Sequence, residues 1–141
     1  MVQTKELQHI GWLERVDFPD LDLQGLDAKV DTGARSSSLH CHHIMLLPTQ
    51  KRVSFFVLDP SHPEYSDRQL EADVSSIRSV RSSNGVSEER IFINTGLFIG
   101  GRNFRIELSL TDRSEMRYPV LLGRRFLRGK FVVDVSSKFL F

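Results

Sequence analysis

One cysteine in 141 residues, Cys41, leaves no internal disulfide to form and rules out a four-cysteine zinc site. That usage fits a reducing compartment, and the chain is expected in the cytoplasm. The opening residues Met1 to Leu7 hold no apolar run of signal-peptide length. No stretch approaches the roughly 18 apolar residues needed to cross a bilayer, so no membrane partner is expected. Neither sign of charge dominates: 19 Lys and Arg stand against 18 Asp and Glu. Without long basic runs there is no electrostatic footprint for nucleic acid. Two motifs are also missing, the Gly-x-x-x-x-Gly-Lys-Ser/Thr loop that cradles phosphates and the His-Glu-x-x-His pair of helical zinc hydrolases. What remains is the composition of one compact domain, 40% hydrophobic and 26% charged. A chain this long buries roughly two-thirds of its unfolded surface without staples.

Short Val, Ile, Leu and Phe segments broken at close intervals by Gly, Asn, Ser and Pro favour strands over helices. In Phe104 to Leu110 the apolar residues fall at every second position, with Arg105, Glu107 and Ser109 on the other face. Gly100-Gly101 separates this run from Gly96 to Ile99 and predicts a tight hairpin turn. Further strands are expected at Ile10 to Val16, Leu26 to Asp31, Val53 to Leu58, Arg90 to Asn94, Tyr118 to Leu122 and Phe131 to Val135. Arg124 to Arg128, closed by Gly129, is the one helical candidate. Pro60 to Asp67 is expected to be a loop.

The segment richest in chemistry is Ala28-Lys29-Val30-Asp31-Thr32-Gly33-Ala34-Arg35, a strand that ends in an acid, a hydroxyl residue and glycine. Glycine admits a second backbone at close range, and the Thr32 hydroxyl can lock the turn. By itself Asp31 could merely cap a turn. A second element is Val120-Leu121-Leu122-Gly123-Arg124, an apolar strand running into the helical segment. Between the two lies Val80 to Arg90, whose Asn84-Gly85 is a strong hairpin signal.

Together these elements resemble a protomer of the retropepsin-like aspartic proteases, with the Val80 to Arg90 hairpin where that family carries its flap. Ile10-Gly11-Trp12, Ser38-Leu39-His40, Asn94-Thr95-Gly96-Leu97 and Gly100-Gly101-Arg102 extend the likeness to one branch, small domains called ATP-dependent zinc proteases. In some genomes these are associated with an ATP-grasp ligase that adds glutamates to proteins. The resemblance implies an all-β closed barrel with one short C-terminal helix, and a catalytic turn at Asp31, Thr32 and Gly33. It also implies substrate contacts from Ala34, Arg35, Asn84, Gly85 and Arg124. Such catalysis needs two carboxylates sharing a proton, and this chain has one such turn, so the resemblance implies a homodimer in which Asp31 meets its copy. Thr32 would then brace the paired turns. The interface expected is the Asp31 turn, the flap tip and the chain ends, with the apolar tail Ser136 to Phe141 covered by the partner.

Where many retropepsins carry a second acid after the Ala, this sequence has Arg35. With Arg124 and Arg125 it suggests an acidic, glutamate-rich peptide substrate, since guanidinium groups pair bidentately with carboxylates. The alternative is that these arginines bridge to Asp112, Asp134 or Glu115. Two other functions stay open: a peptide-binding or regulatory dimer without turnover, and a metal-dependent hydrolase. For zinc, His40 and His42 of His40-Cys41-His42-His43 would share a strand face, yet a third ligand would have to come from His62, Asp67 or the second protomer. No cofactor is expected. Ser36 to Ser38 beside His40 lack a nucleophile elbow and read as local backbone capping.

Overall fold

A computed structural model describes residues 6–49, 51–58, 65, 67–81, 84–112 and 117–141. Eleven strands are present among them: β1 (Gln8–Gly11), β2 (Leu13–Phe18), β3 (Leu23–Val30), β4 (Ser37–Leu46), β5 (Arg52–Val57), β6 (Gln69–Asp73), β7 (Ser76–Arg81), β8 (Ser87–Ile99), β9 (Arg102–Thr111), β10 (Val120–Leu122) and β11 (Phe131–Asp134). The one α-helix among the described residues, α1, spans Arg124–Leu127. Strands β10, β3, β2, β8, β9 and β4 pair in that order, and β4 pairs back to β10, which closes a six-stranded barrel. Closure removes the free edges that an open sheet would expose. β5 and β6 extend the sheet beyond β4, and β7 flanks β8. β1 and β11 form a separate parallel pair, Gln8 opposite Phe131.

The alternation expected of Phe104 to Leu110 holds on the barrel side, where Ile106, Leu108 and Leu110 are buried with Leu39, Ile93, Leu97, Val120 and Leu122. Gly100 and Gly101 both have positive φ, 61° and 76°, as a tight primed turn requires. The segment expected as one strand from Ile10 to Val16 is two, because at Trp12 the chain leaves β11 and enters the barrel. The strands expected at Arg90 to Asn94 and Gly96 to Ile99 are one, β8, with Asn94-Thr95-Gly96 inside it. The long β4, with its run of Ser and His, had no period-2 signal. Its first half is buried despite being polar because β9 and β10 flank it on both sides. The loop expected at Pro60 to Asp67 lies outside the described residues except for Tyr65 and Asp67.

The tail Ser136 to Phe141 packs in part on its own protomer: the Trp12 N–H donates to the Ser137 carbonyl (2.8 Å) and the Phe139 N–H to that of Leu13 (2.8 Å). The Leu140 N–H donates to the carboxylate of Glu14 at 3.0 Å and 3.1 Å, which also accepts the Gly11 N–H at 2.8 Å. Glu14 is wholly buried, so its charge is met by backbone donors. Phe141 reaches Phe131 and the Gly100 turn. Cover is still partial, since Phe139, Leu140 and Phe141 stay 37–46% exposed.

Candidate functional site

β3 and β10 run parallel through Ala28 to Val30 and Val120 to Leu122, and the ladder continues one step further, with the Asp31 N–H donating to the Leu122 carbonyl (2.9 Å). There the two chains part. The chain after β3 folds into a turn closed by the Ala34 N–H on the Asp31 carbonyl (3.2 Å), and Asp31 Oδ1 accepts the Gly33 N–H (3.0 Å). The turn is therefore locked by the aspartate's own carboxylate, as in an Asx turn. The expected Thr32 hydroxyl lock is not made: among the described residues that hydroxyl has no hydrogen bond, and Thr32 is exposed.

The chain after β10 grips the same turn from the other side. The Arg124 N–H donates to the Ala34 carbonyl (2.8 Å), the Arg125 N–H to that of Arg35 (3.1 Å), and the Gly123 N–H to Ser37 Oγ (2.9 Å). Arg124 Nη1 reaches the Thr32 carbonyl at 3.0 Å. Such close contact of two backbones explains Gly123, where an added Cβ would lie 2.4 Å from the Ser36 carbonyl oxygen. The Asp-Thr-Gly and Leu-Leu-Gly-Arg segments, about 90 residues apart in sequence, thus make one unit.

That unit forms one wall of a cleft of about 930 Å³. Asp31, Gly33, Ala34, Arg35 and Arg124 all line it, and the opposite wall is the β7–β8 hairpin. The hairpin spans Ser76 to Ile99, longer than expected, and contributes Arg78, Val80, Arg81 and Arg90 to the cleft. Asn84 and Gly85 do not line it; they sit near the hairpin's end, with Gly85 at φ +84° and Asn84 Oδ1 accepting the Val86 N–H (3.1 Å). Ser82 and Ser83 lie outside the described residues. Among the described residues, six arginines, Arg35, Arg78, Arg81, Arg90, Arg124 and Arg125, line the cleft with a single acid, Asp31. The sequence signal for the hairpin was its Asn84-Gly85 turn; that Arg78 and Arg90 come together on the cleft wall follows from strand register and was not read from the sequence. Bridges from Arg35, Arg124 or Arg125 to Asp112 or Asp134 are absent among the described residues; Asp134 instead accepts from Ser136 and Ser137, which hold its carboxyl below the usual range. Glu115 lies outside the described residues.

The His42 and His43 rings touch, with centroids 4.9 Å apart, but no three-ligand set forms around them among the described residues. His40 is buried on β4, and His42 uses Nδ1 against the Leu58 carbonyl (2.6 Å) and Nε2 toward the Tyr65 hydroxyl (3.3 Å). Among the described residues no three His, Cys, Asp or Glu side chains gather as metal ligands. His62 lies outside them. Also among the described residues, no helix is long and apolar enough to cross a membrane.

Comparison with known proteins agrees with this geometry. A family model described as "RimB-like: Retropepsin-like aspartic endopeptidase RimB" matches residues 9–141. A "Probable alpha-L-glutamate ligase" of Shewanella pealeana is 37% identical over 134 residues, 92% of this chain and 29% of that protein. A protein of the same name from Parasynechococcus marenigrum is 36% identical over 129 residues, 89% of this chain and 27% of its own length. The chain thus spans under a third of the curated relatives it matches. A crystal structure from Legionella pneumophila, of a protein of unknown function, superposes with a TM-score of 0.75 at 25% identity, covering 96% of this chain and 98% of that one. With the Asp31 turn gripped by the Leu-Leu-Gly-Arg segment inside a closed barrel, and the family model covering nearly all of its length, the chain belongs to the RimB-like family of retropepsin-like aspartic endopeptidases.

Proposed function

We propose that this chain is an aspartic-type peptidase acting on glutamate-rich peptides as a homodimer, with Asp31 and the Asp31 of a second copy forming the catalytic pair. The observation that carries the reading is one carboxylate, held by its own turn, on a cleft where the other charged side chains among the described residues are six arginines. Two carboxylates at about 3 Å cannot both ionise, so one keeps its proton. The ionised one takes a proton from a water molecule, whose oxygen attacks the peptide carbonyl carbon. The protonated one gives its proton to the carbonyl oxygen. Collapse of the tetrahedral intermediate then breaks the C–N bond, and the amine leaves with a proton returned from the pair.

The arginines supply selectivity, pairing with substrate carboxylates in a cleft where like charge on the ligand would otherwise be costly. The Thr32 hydroxyl, which makes no hydrogen bond among the described residues, would brace the paired turns. Relatives named as glutamate ligases support a functional link to such a ligase, whose products carry the carboxylates this cleft favours. The lone buried Cys41 fits a cytoplasmic setting.

The test is cleavage of a glutamate-rich peptide, followed by mass spectrometry, alongside the solution mass. A dimer should cleave, and Asp31→Asn should abolish cleavage while retaining binding. Turnover by a monomer, or by the Asp31→Asn variant, contradicts the dyad. Arg35, in place of a second acid, favours the second reading, a binding module without turnover. Binding with no cleavage by either protein would select it. Loss of turnover on chelation would select a metal-dependent hydrolase using His40 and His42.

A further inference from the structure

The hairpin wall of the cleft breaks a rule of strand pairing. Arg78 of β7 and Arg90 of β8 stand directly opposite one another, both on the face that lines the cleft. Like charges in cross-strand register destabilise a hairpin, so their presence calls for a compensating function. Each guanidinium is held by its own acid. Arg78 stacks on the Phe92 ring, its carbon 3.8 Å from the centroid, and Nη2 donates to Glu107 Oε1, while Ser75 Oγ donates to Glu107 Oε2 (3.1 Å). Arg90 Nε donates to Glu88 Oε1 (2.7 Å), a neighbour on the same strand. The two acids differ in hold. Among the described residues Glu107 is tied by two donors, whereas the Glu88 carboxylate is half-exposed and accepts this one hydrogen bond, although the Arg90 side chain is only 12% exposed. Finally, Arg78 Nε is a buried donor with no acceptor among the described residues. A donor in that state in a cleft wall lacks a partner that a ligand oxygen would supply.

We propose that Arg78 and Arg90 form a carboxylate clamp on the hairpin, in which Glu88 occupies the place of a substrate carboxylate and is displaced when an acidic peptide enters the cleft. The proposal rests on the acidic-peptide reading above and adds its specificity-determining residues, which face Arg35 and Arg124 across the cleft. Arg78 is the fixed half, oriented by Phe92 and Glu107. Arg90 is the exchangeable half, passing from an internal carboxylate to an external one at little net change in charge pairing. Two guanidinium forks on adjacent strands suit a planar carboxylate better than two ammonium groups would.

The experiment measures affinity by calorimetry in the Asp31→Asn background, which binds without cleaving, for a short peptide of alternating Glu and Ser and for its Gln-Ser counterpart. Arg90→Gln and Arg78→Gln should each weaken Glu-Ser binding by about tenfold and leave Gln-Ser binding unchanged, the size expected of one charged hydrogen bond. Arg90→Lys should recover part of the loss. Glu88→Gln, a change on an exposed side chain, should tighten Glu-Ser binding by about two- to fivefold because the internal competitor is gone. This gain cannot arise from misfolding. Unchanged Glu-to-Gln preference in all these variants would overturn the clamp while leaving the acidic-peptide reading intact. An Asp31→Asn protein with all its arginines intact that does not distinguish the two peptides would overturn that reading and the clamp with it.

Discussion

Replacing Gly123 by Ala adds a single methyl group, and its Cβ would lie 2.4 Å from the Ser36 carbonyl oxygen, 2.6 Å from the Ser36 carbonyl carbon and 2.9 Å from the Ala34 carbonyl oxygen. All three are backbone atoms, so no side chain can swing aside. The backbone angles of Gly123, φ −91° and ψ 175°, suit any residue, and the cost is therefore purely one of space. To relieve it the segment must withdraw from the Asp31 turn, which strains three hydrogen bonds, those of Gly123 to Ser37, Arg124 to Ala34 and Arg125 to Arg35. At about 1 kcal/mol each, with a further 1–3 kcal/mol for overpacking, the loss is roughly 4–6 kcal/mol. For a domain of this size that lowers the melting temperature by roughly 14–20 °C. Gly129→Ala provides the contrast: its φ is +76° but nothing lies within 4 Å of the added Cβ, so only the conformational cost of about 1 kcal/mol is expected. Thermal melts of both variants with peptide cleavage at a temperature where each is folded make the assay. A Gly123→Ala protein that melts within a degree or two of wild type and cleaves normally would refute the claim that this contact builds the site.

Glu14→Ala should destabilise by about 2–4 kcal/mol, because the Gly11 and Leu140 N–H groups lose their acceptor, and Glu14→Gln by less; chemical denaturation and hydrogen exchange at Leu140 check the order. Burial, with a smaller contribution from Asp112, pushes the Cys41 thiol well above its usual range, so it should resist a thiol reagent in the folded protein and react on unfolding. The same shift sets a sign for stability. The buried thiol keeps its proton while the unfolded one ionises, so this contribution is whole below about pH 8.5 and falls as pH rises beyond it, which Cys41→Ala should abolish in alkaline melts.

Much of the barrel could be read from periodicity, as Phe104 to Leu110 and the Gly100-Gly101 turn show, because one buried face and one turn chemistry leave few alternatives. β4 could not. Ser37, Ser38 and His40 are buried through neighbours distant in sequence, with Ser37 Oγ serving as acceptor for Gly123, and no local pattern announces such burial. The anchoring of the tail was hidden for the same reason: Glu14, an acid inside an apolar strand, gives no local sign that it holds Leu140. At the site, the Asp31 turn and the Gly123 segment were found together because each is a compact motif. Arg78 and Arg90 were not, since their pairing depends on hairpin register rather than on spacing.

The central claim is that one active site draws an aspartate from each of two copies, and mixing subunits tests it most directly. Wild-type and Asp31→Asn chains are combined in varied ratio, allowed to exchange, and assayed for cleavage of a glutamate-rich peptide at constant total protein. A shared dyad makes activity follow the square of the wild-type fraction, about a quarter at equal parts. A straight-line decline would mean that each copy works alone, and would contradict the account.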